Sequence, residues 1–261
     1  MSEGALRGAP AARALSVKLA IILVTGAVFL IPLELIRGVI LERAERAREV
    51  TAQIADKWAE PQVLRGPFLL LPAERVDPAN PRLPPKRRSI VLLPEDFVAA
   101  VDVVTETRSR GIFDAEIYTA QIRLSGRFDK GLLDAGLLDG DWRPRWDQAV
   151  LALGLSDLRG LQEDLALTWD DASLAAEAGV PGDALTLGGL HWPVTAFAGR
   201  QEHAFELVMS LRGSSAFSLL PAGRQNDLRI AGNWPAPSFG GVTLPRRQEV
   251  SDAGFAASWK V

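Results

Sequence analysis

HAFELVMSLR, residues 203–212, alternates. His203, Phe205, Leu207, Met209 and Leu211 share one side, with Glu206, Ser210 and Arg212 opposite. A period of two is the signature of a strand with one face buried and the other wet. On either side of this run lie further short apolar or alternating segments cut by glycine and proline. They predict strands at Phe68–Leu71, Ser89–Leu93, Ala99–Thr107, Ile112–Phe128, Gln148–Leu155, Leu165–Trp169, Ala216–Leu220, Leu228–Gly232 and Gly254–Trp259. Many short strands separated by turn residues point to a mainly β fold, a sandwich-like two-layer domain over 61–261.

Within Ile112–Phe128 the apolar face switches phase, from Phe113, Ala115 and Ile117 to Ile122 and Leu124. A bulge near Thr119–Ala120 is expected to account for it. Pro78, Pro81, Pro84 and Pro85 mark a loop, and the basic run Lys86-Arg87-Arg88 behind them reads as part of it. Gly131–Pro144 and Asp171–Gly182 read as further loops, with short helices expected near Gly131–Leu138 and Ser173–Ala178.

Toward the N-terminus the pattern changes. LAIILVTGAVFLIPL, residues 19–33, carries no charge. Extended to 15–36 it makes a helix about 33 Å long, enough for a hydrocarbon core of about 30 Å. A core helix would show a polar face, and a cleaved signal peptide would end in a small-x-small pattern; neither is present. The expected organisation is a cytoplasmic tail over 1–14, a transmembrane helix over 15–36, a juxtamembrane stalk helix over 37–60 and the β domain beyond. In the stalk, Ile36, Val39 or Ile40, Ala44, Ala47, Val50 or Thr51, Ile54 and Trp58 recur at helical spacing beside a Glu42–Arg46 pair, and Pro61 stops the helix. That face either packs on its own domain or pairs with a neighbouring subunit. Arginines flank both membrane ends, so charge alone does not orient the chain. The short tail ahead of a large domain favours a cytoplasmic N-terminus and an external domain.

Composition narrows the chemistry. A net charge of −3 without a basic stripe argues against nucleic acid as partner. The absence of cysteine excludes disulfides, thiolate metal sites and thiol catalysis, and two histidines, His191 and His203, leave little for a metal. No cofactor motif, nucleophile elbow or phosphate loop occurs. Asp139, Asp141 and Asp147 lie around two tryptophans, but a glycosidase needs two carboxylates facing a cleft, and surface aspartates near turns are commoner. His191 is expected in a turn entering a strand and His203 packed on an apolar face. The densest unusual cluster is Asn233, Trp234, Pro235, Pro237 and Phe239, followed by two glycines. It is either a rigid connection whose rings plug the core or an exposed aromatic patch for a glycan, lipid or protein partner.

Ile31-Pro32-Leu33-x-Leu35-Ile36-Arg37-x-Val39-Ile40-x-Glu42-Arg43 resembles the first membrane helix and stalk of the CreD family of bacterial inner-membrane proteins. Gly66-Pro67, Leu93-Pro94-Glu95, Gly111-Ile112, Tyr118-Thr119, Asp157-x-Arg159-Gly160, Pro221-x-Gly223-Arg224, Asn233-Trp234-Pro235-x-Pro237-Ser238-Phe239 and Glu249-Val250-Ser251 follow in the family's order. The resemblance implies a cell inner membrane protein with a periplasmic domain, tied to cell envelope integrity and to the β-lactam response. It also implies further membrane helices after the point where this sequence ends. It brings no catalytic residues and no cofactor. The expectation is a non-enzymatic protein that contacts the lipid bilayer and binds an envelope glycan, lipid or protein, with an oligomer formed through the stalk as one option. An envelope enzyme acting on glycan or lipid, or a scaffold subunit of a membrane complex, are the alternatives.

Overall fold

The computed structural model describes residues 9–77, 82–131, 141–181, 188–197, 199–234 and 236–261. The expected helix near Gly131–Leu138 falls almost wholly outside them. The chain divides into two compact units, Met1–Ala52 and Gln53–Val261.

Helix α1 runs without a break over Ala9–Trp58 and contains Pro32. Its Val17–Val50 portion is long and apolar enough to cross a membrane, and none of its apolar stretch is buried within the protein. Leu23 is 74% exposed and Phe29 71%, which a soluble core helix would not tolerate. Beyond the apolar stretch the Glu42–Arg46 pair forms at 3.5 Å on an open surface, where such a pair contributes a few tenths of a kcal/mol, about 0.3–0.5.

Fifteen strands follow among the described residues: β1 (Gln62–Arg75), β2 (Lys86–Leu92), β3 (Asp96–Arg110), β4 (Phe113–Asp129), β5 (Arg143–Pro144), β6 (Ala149–Leu155), β7 (Ala166–Trp169), β8 (Ala172–Leu174), β9 (Glu177–Ala178), β10 (Gly189–Val194), β11 (Glu202–Ser214), β12 (Phe217–Leu220), β13 (Gln225–Gly232), β14 (Arg247–Ser251) and β15 (Gly254–Lys260). One sheet has the order β12-β1-β6-β10-β9, with β2 and β5 also on β1; the other runs β14-β15-β13-β3-β4-β11-β7-β8. Side chains of both sheets join in one core. Leu69, Leu71, Leu151 and Trp192 come from the first, Phe97, Ile122, Phe128 and Leu207 from the second. The fold is therefore the mainly β, two-layer sandwich expected, and β11 buries the odd-numbered face its alternation assigned.

Three local expectations are corrected. No bulge interrupts β4, which stays in register with β3 from Asp96↔Arg127 to Arg110↔Phe113 and with β11 throughout. The burial phase does change, because Ala115 and Ile117 are covered on the outer face while Tyr118, Ala120 and Ile122 face the core. Trp58 lies on that outer face. Its indole N–H donates to the Tyr118 carbonyl at 3.3 Å, and Arg212 and Arg108, partners of Thr119 and Ala115, sit 4.5 and 5.8 Å from its ring. A register shift occurs in β1 instead, between Arg65 and Phe68 at Gly66-Pro67. Second, no helix forms at Ser173–Ala178. Ser173 pairs with Thr168 in a tight hairpin and Glu177 pairs with His191, so ladder bonds override local helix propensity. Third, Lys86-Arg87-Arg88 opens strand β2 rather than lying in a loop, held by pairing with Arg75, Glu74 and Ala73.

Where the chain enters the sandwich, a polar clasp forms. Asp157 accepts from the Glu60 N–H at 3.1 Å, the Arg159 N–H at 3.0 Å and the Arg159 guanidinium at 3.0 Å. Ser156 Oγ accepts from Val63 N and donates to Pro61 O. Burial pushes the Asp157 carboxyl up, but these donors outweigh it and hold it below the usual carboxylate range. A depressed folded-state value contributes stability above the unfolded pKa of about 3.9, lost as pH falls through the folded value. The gap in thermal midpoint between the parent and Asp157→Asn should thus be full at neutral pH and close below about pH 4. A gap independent of pH would assign the clasp to shape rather than charge.

Candidate functional site

A cleft of about 570 Å³ opens where β7, β8 and β10 approach the start of β11, between Trp169, Leu174, Pro193 and Arg200. His203 sits at its base, only 5% exposed, on the apolar face of β11. Its ring stacks on Trp169, centroids 5.0 Å apart and 20° from parallel, and meets Phe197 edge-on at 5.2 Å.

The hydrogen bonds fix its tautomer. The Phe197 N–H donates to Nε2 at 2.8 Å, so Nε2 is unprotonated and Nδ1 carries the hydrogen, which it donates to Asp170 Oδ2 at 2.8 Å. Asp170 also accepts from the Ala204 N–H at 3.0 Å and pairs with Arg200 at 3.1 Å. Both partners of the histidine hold left-handed backbone, Asp170 at φ 52° and Phe197 at φ 55°. An aspartate reaches this region readily; a phenylalanine does so only where its surroundings compel it.

This arrangement limits the chemistry. A general base needs a free lone pair aimed at a substrate proton. The Nε2 lone pair of His203 is already occupied by a backbone N–H, and Asp170 already faces three donors. What remains open to a ligand is the Arg200 guanidinium, 58% exposed, the Asp171 carboxylate and the apolar walls. Elsewhere Asp147 is held below the usual range by its hydrogen bond to Arg145, the reverse of what a proton donor requires. Asp141 is exposed, and Asp139 lies outside the described residues. His191 stands inside β10, not in a turn, with Nδ1 donating to the Gly179 carbonyl at 2.8 Å. No group of three or more metal-ligating side chains occurs among the described residues.

The cluster at Asn233 is built into the sandwich. Asn233 imitates a strand residue: its Oδ1 accepts from the Thr105 N–H at 2.7 Å and its Nδ2 donates to the Thr105 carbonyl at 3.2 Å. The amide thus extends the β13–β3 pairing past Gly232. Trp234 is half-buried and lies 6.1 Å from the Tyr118 ring, against the core. Phe239 meets Phe255 and Trp259 edge-on at 5.7 and 6.1 Å. Pro237 is half-exposed, and Pro235 lies outside the described residues. The surface the segment offers to solvent is carried further on, by Val242, fully exposed, and Leu244 at 68%. Asp170, Phe197 and Arg200 were not singled out from the sequence; Asp170-Asp171 after Trp169 is a turn signal that could have marked the place.

Residues 14–261 match the family model described as inner membrane protein CreD. The chain is 30% identical over 238 residues to the inner membrane protein CreD of Escherichia coli (strain K12), an alignment covering 88% of this chain and 52% of that protein. The chain spans about half the length of the curated relative it matches.

Proposed function

The chain belongs to the CreD family of inner membrane proteins, and from that premise we propose that it is a membrane-tethered binding protein of the cell envelope, not an enzyme. Its sandwich lies on the periplasmic side and takes an envelope component into the cleft between Trp169 and Arg200. Binding there contributes to envelope integrity and to the response to β-lactams. One observation carries this reading. The cleft joins an aromatic wall and an exposed cation to a histidine whose Nε2 lone pair is taken by a backbone N–H and an aspartate that faces three donors, so it can hold a ligand while His203 is not free to act as a base. Clustering of left-handed backbone at the same histidine supports a functional site there.

The test has two parts. The sequence has no cysteine, so Val242→Cys introduces a unique thiol at a fully exposed position. A membrane-impermeant maleimide should label it in intact spheroplasts; labelling only after lysis would reverse the orientation. In cells depending on this protein, Arg200→Ala with Asp171→Ala should abolish the envelope phenotype while the protein stays folded. Val242→Ser with Leu244→Ser should leave it intact. The opposite pattern would move the binding surface to the loop after Phe239.

A further inference from the structure

The eight-stranded sheet ends at β14, which pairs with β15 and with no other strand among the described residues. All five of its residues are exposed. The strand is nonetheless held in place. Just before it, the Arg246 N–H donates to the Ser258 carbonyl at 2.8 Å, and the Trp259 indole N–H donates to the Thr243 carbonyl at 3.1 Å. At its end, Ser251 Oγ donates to the Gly254 carbonyl at 3.3 Å. An edge held in this way costs little further ordering when another strand joins it.

The hairpin decides which backbone groups that edge offers. Asp252-Ala253 form a two-residue turn, so Ser251 and Gly254 on either side of it exchange hydrogen bonds. By alternation, Glu249 with Ala256 and Arg247 with Ser258 do the same. The N–H and C=O groups of Gln248 and Val250 therefore point away from β15, off the sheet.

The side chains decide the partner. Edges guarded against pairing carry charges of one sign or a proline. β14 instead carries Arg247 and Glu249, opposite in sign and two residues apart on one face. Neither has an ion-pair partner among the described residues. On β4 of the same sheet, by contrast, Arg123 and Arg127 pair with Glu206 and Asp96. A two-fold axis at Gln248 lays β14 antiparallel to its own copy. Gln248 then meets Gln248 as a hydrogen-bonded pair, and Arg247 meets Glu249 on both sides of the axis. Those flanking pairs are of the non-hydrogen-bonded kind, in which side chains approach most closely. Centring the axis on Glu249 satisfies the same backbone groups but sets carboxylate against carboxylate. We propose that β14 is a self-association edge, at which two copies of this chain join around Gln248 and merge their eight-stranded sheets into one. Five residues a side make a small contact, and a membrane helix that confines both copies to one bilayer makes it effective. The edge is separate from the Trp169 cleft and does not depend on the function proposed for it.

The sequence has no cysteine, so Gln248→Cys reports the axis directly. Its two copies would lie about 5.5 Å apart at Cα, inside the disulfide range of about 4.4–6.8 Å. In membranes of cells expressing the full chain, copper phenanthroline should convert most of this variant to a covalent dimer. Ser173→Cys, exposed on β8 at the opposite edge of the sheet, should give at least about fivefold less. In the Gln248→Cys background, Arg247→Glu or Glu249→Arg alone should lower the dimer about fivefold or more, since both ion pairs become repulsive. Both should keep the parent's circular dichroism, because the altered residues are exposed. Co-expressed under different tags, the two reversals face each other with complementary charge. The mixed dimer should then return to within about twofold of the parent level. No dimer from Gln248→Cys, equal dimer from Ser173→Cys, or no recovery on mixing would overturn the proposal.

Discussion

Gly160→Ala should destabilise the sandwich by about 3 kcal/mol, the upper range for forcing a methyl group into packed surroundings. Gly160 is buried in the turn closed by Asp157. A Cβ there would run into the Arg212 carbonyl oxygen of β11, lie 2.7 Å from Gln62 Nε2 and 3.3 Å from the Ala59 methyl. None of these can retreat cheaply. Arg212 is backbone in a long strand and carries the guanidinium over Trp58. Gln62 is wholly buried, donates to the Asp157 carbonyl at 3.1 Å and would lose that bond at a cost of about 1–3 kcal/mol. The substitution therefore pushes at once on the end of α1, the start of β1 and the edge of β11. At about 3 °C per kcal/mol for a unit of this size, the midpoint should fall by roughly 10 °C. Gly240→Ala is the control: nothing lies within 4 Å of its Cβ, so it should be neutral within about 0.5 kcal/mol. Equal midpoints for the two variants would show that the turn has room the geometry denies it.

The elements that could be read from sequence are those whose burial is periodic. β3, β4, β11 and β13 alternate, and each appeared within a few residues of its place. The strands that escaped lack that signal for identifiable reasons. β10 opens on Gly189 and contains Pro193, so it reads as a turn although it pairs with β6 along its whole length. β14 is exposed at all five positions and shows no apolar side. β8 and β9 are too short for any period to emerge. Lys86-Arg87-Arg88 looked like loop because its partners, Arg75, Glu74 and Ala73, lie across a hairpin that composition cannot close. The cleft was least legible of all. His203 announced itself by sitting on an apolar face. Its partners Asp170 and Phe197 act through backbone angles and a backbone N–H, which leave almost no trace in residue type.

Those partners make His203→Ala the most informative single change. It should cost about 3–5 kcal/mol, combining a cavity beside Trp169 and Phe197 with two broken buried hydrogen bonds. The Phe197 N–H would lose its acceptor while its residue is held at φ 55°, and Asp170 would lose its 2.8 Å donor. Arg200→Ala removes an exposed ion pair from the same aspartate and should cost less than about 1 kcal/mol. His203→Gln distinguishes structure from chemistry. A glutamine can accept from Phe197 N–H and donate to Asp170, so it should recover much of the stability and, with it, binding in the cleft. An imidazole acting as a base has no such substitute, because an amide does not take up a proton near neutral pH. Recovery of fold and phenotype together in His203→Gln would support a binding cleft. A well-folded His203→Gln with the phenotype lost would instead require the histidine to release the Phe197 N–H and act on a substrate, and the envelope-enzyme alternative would then replace the one proposed.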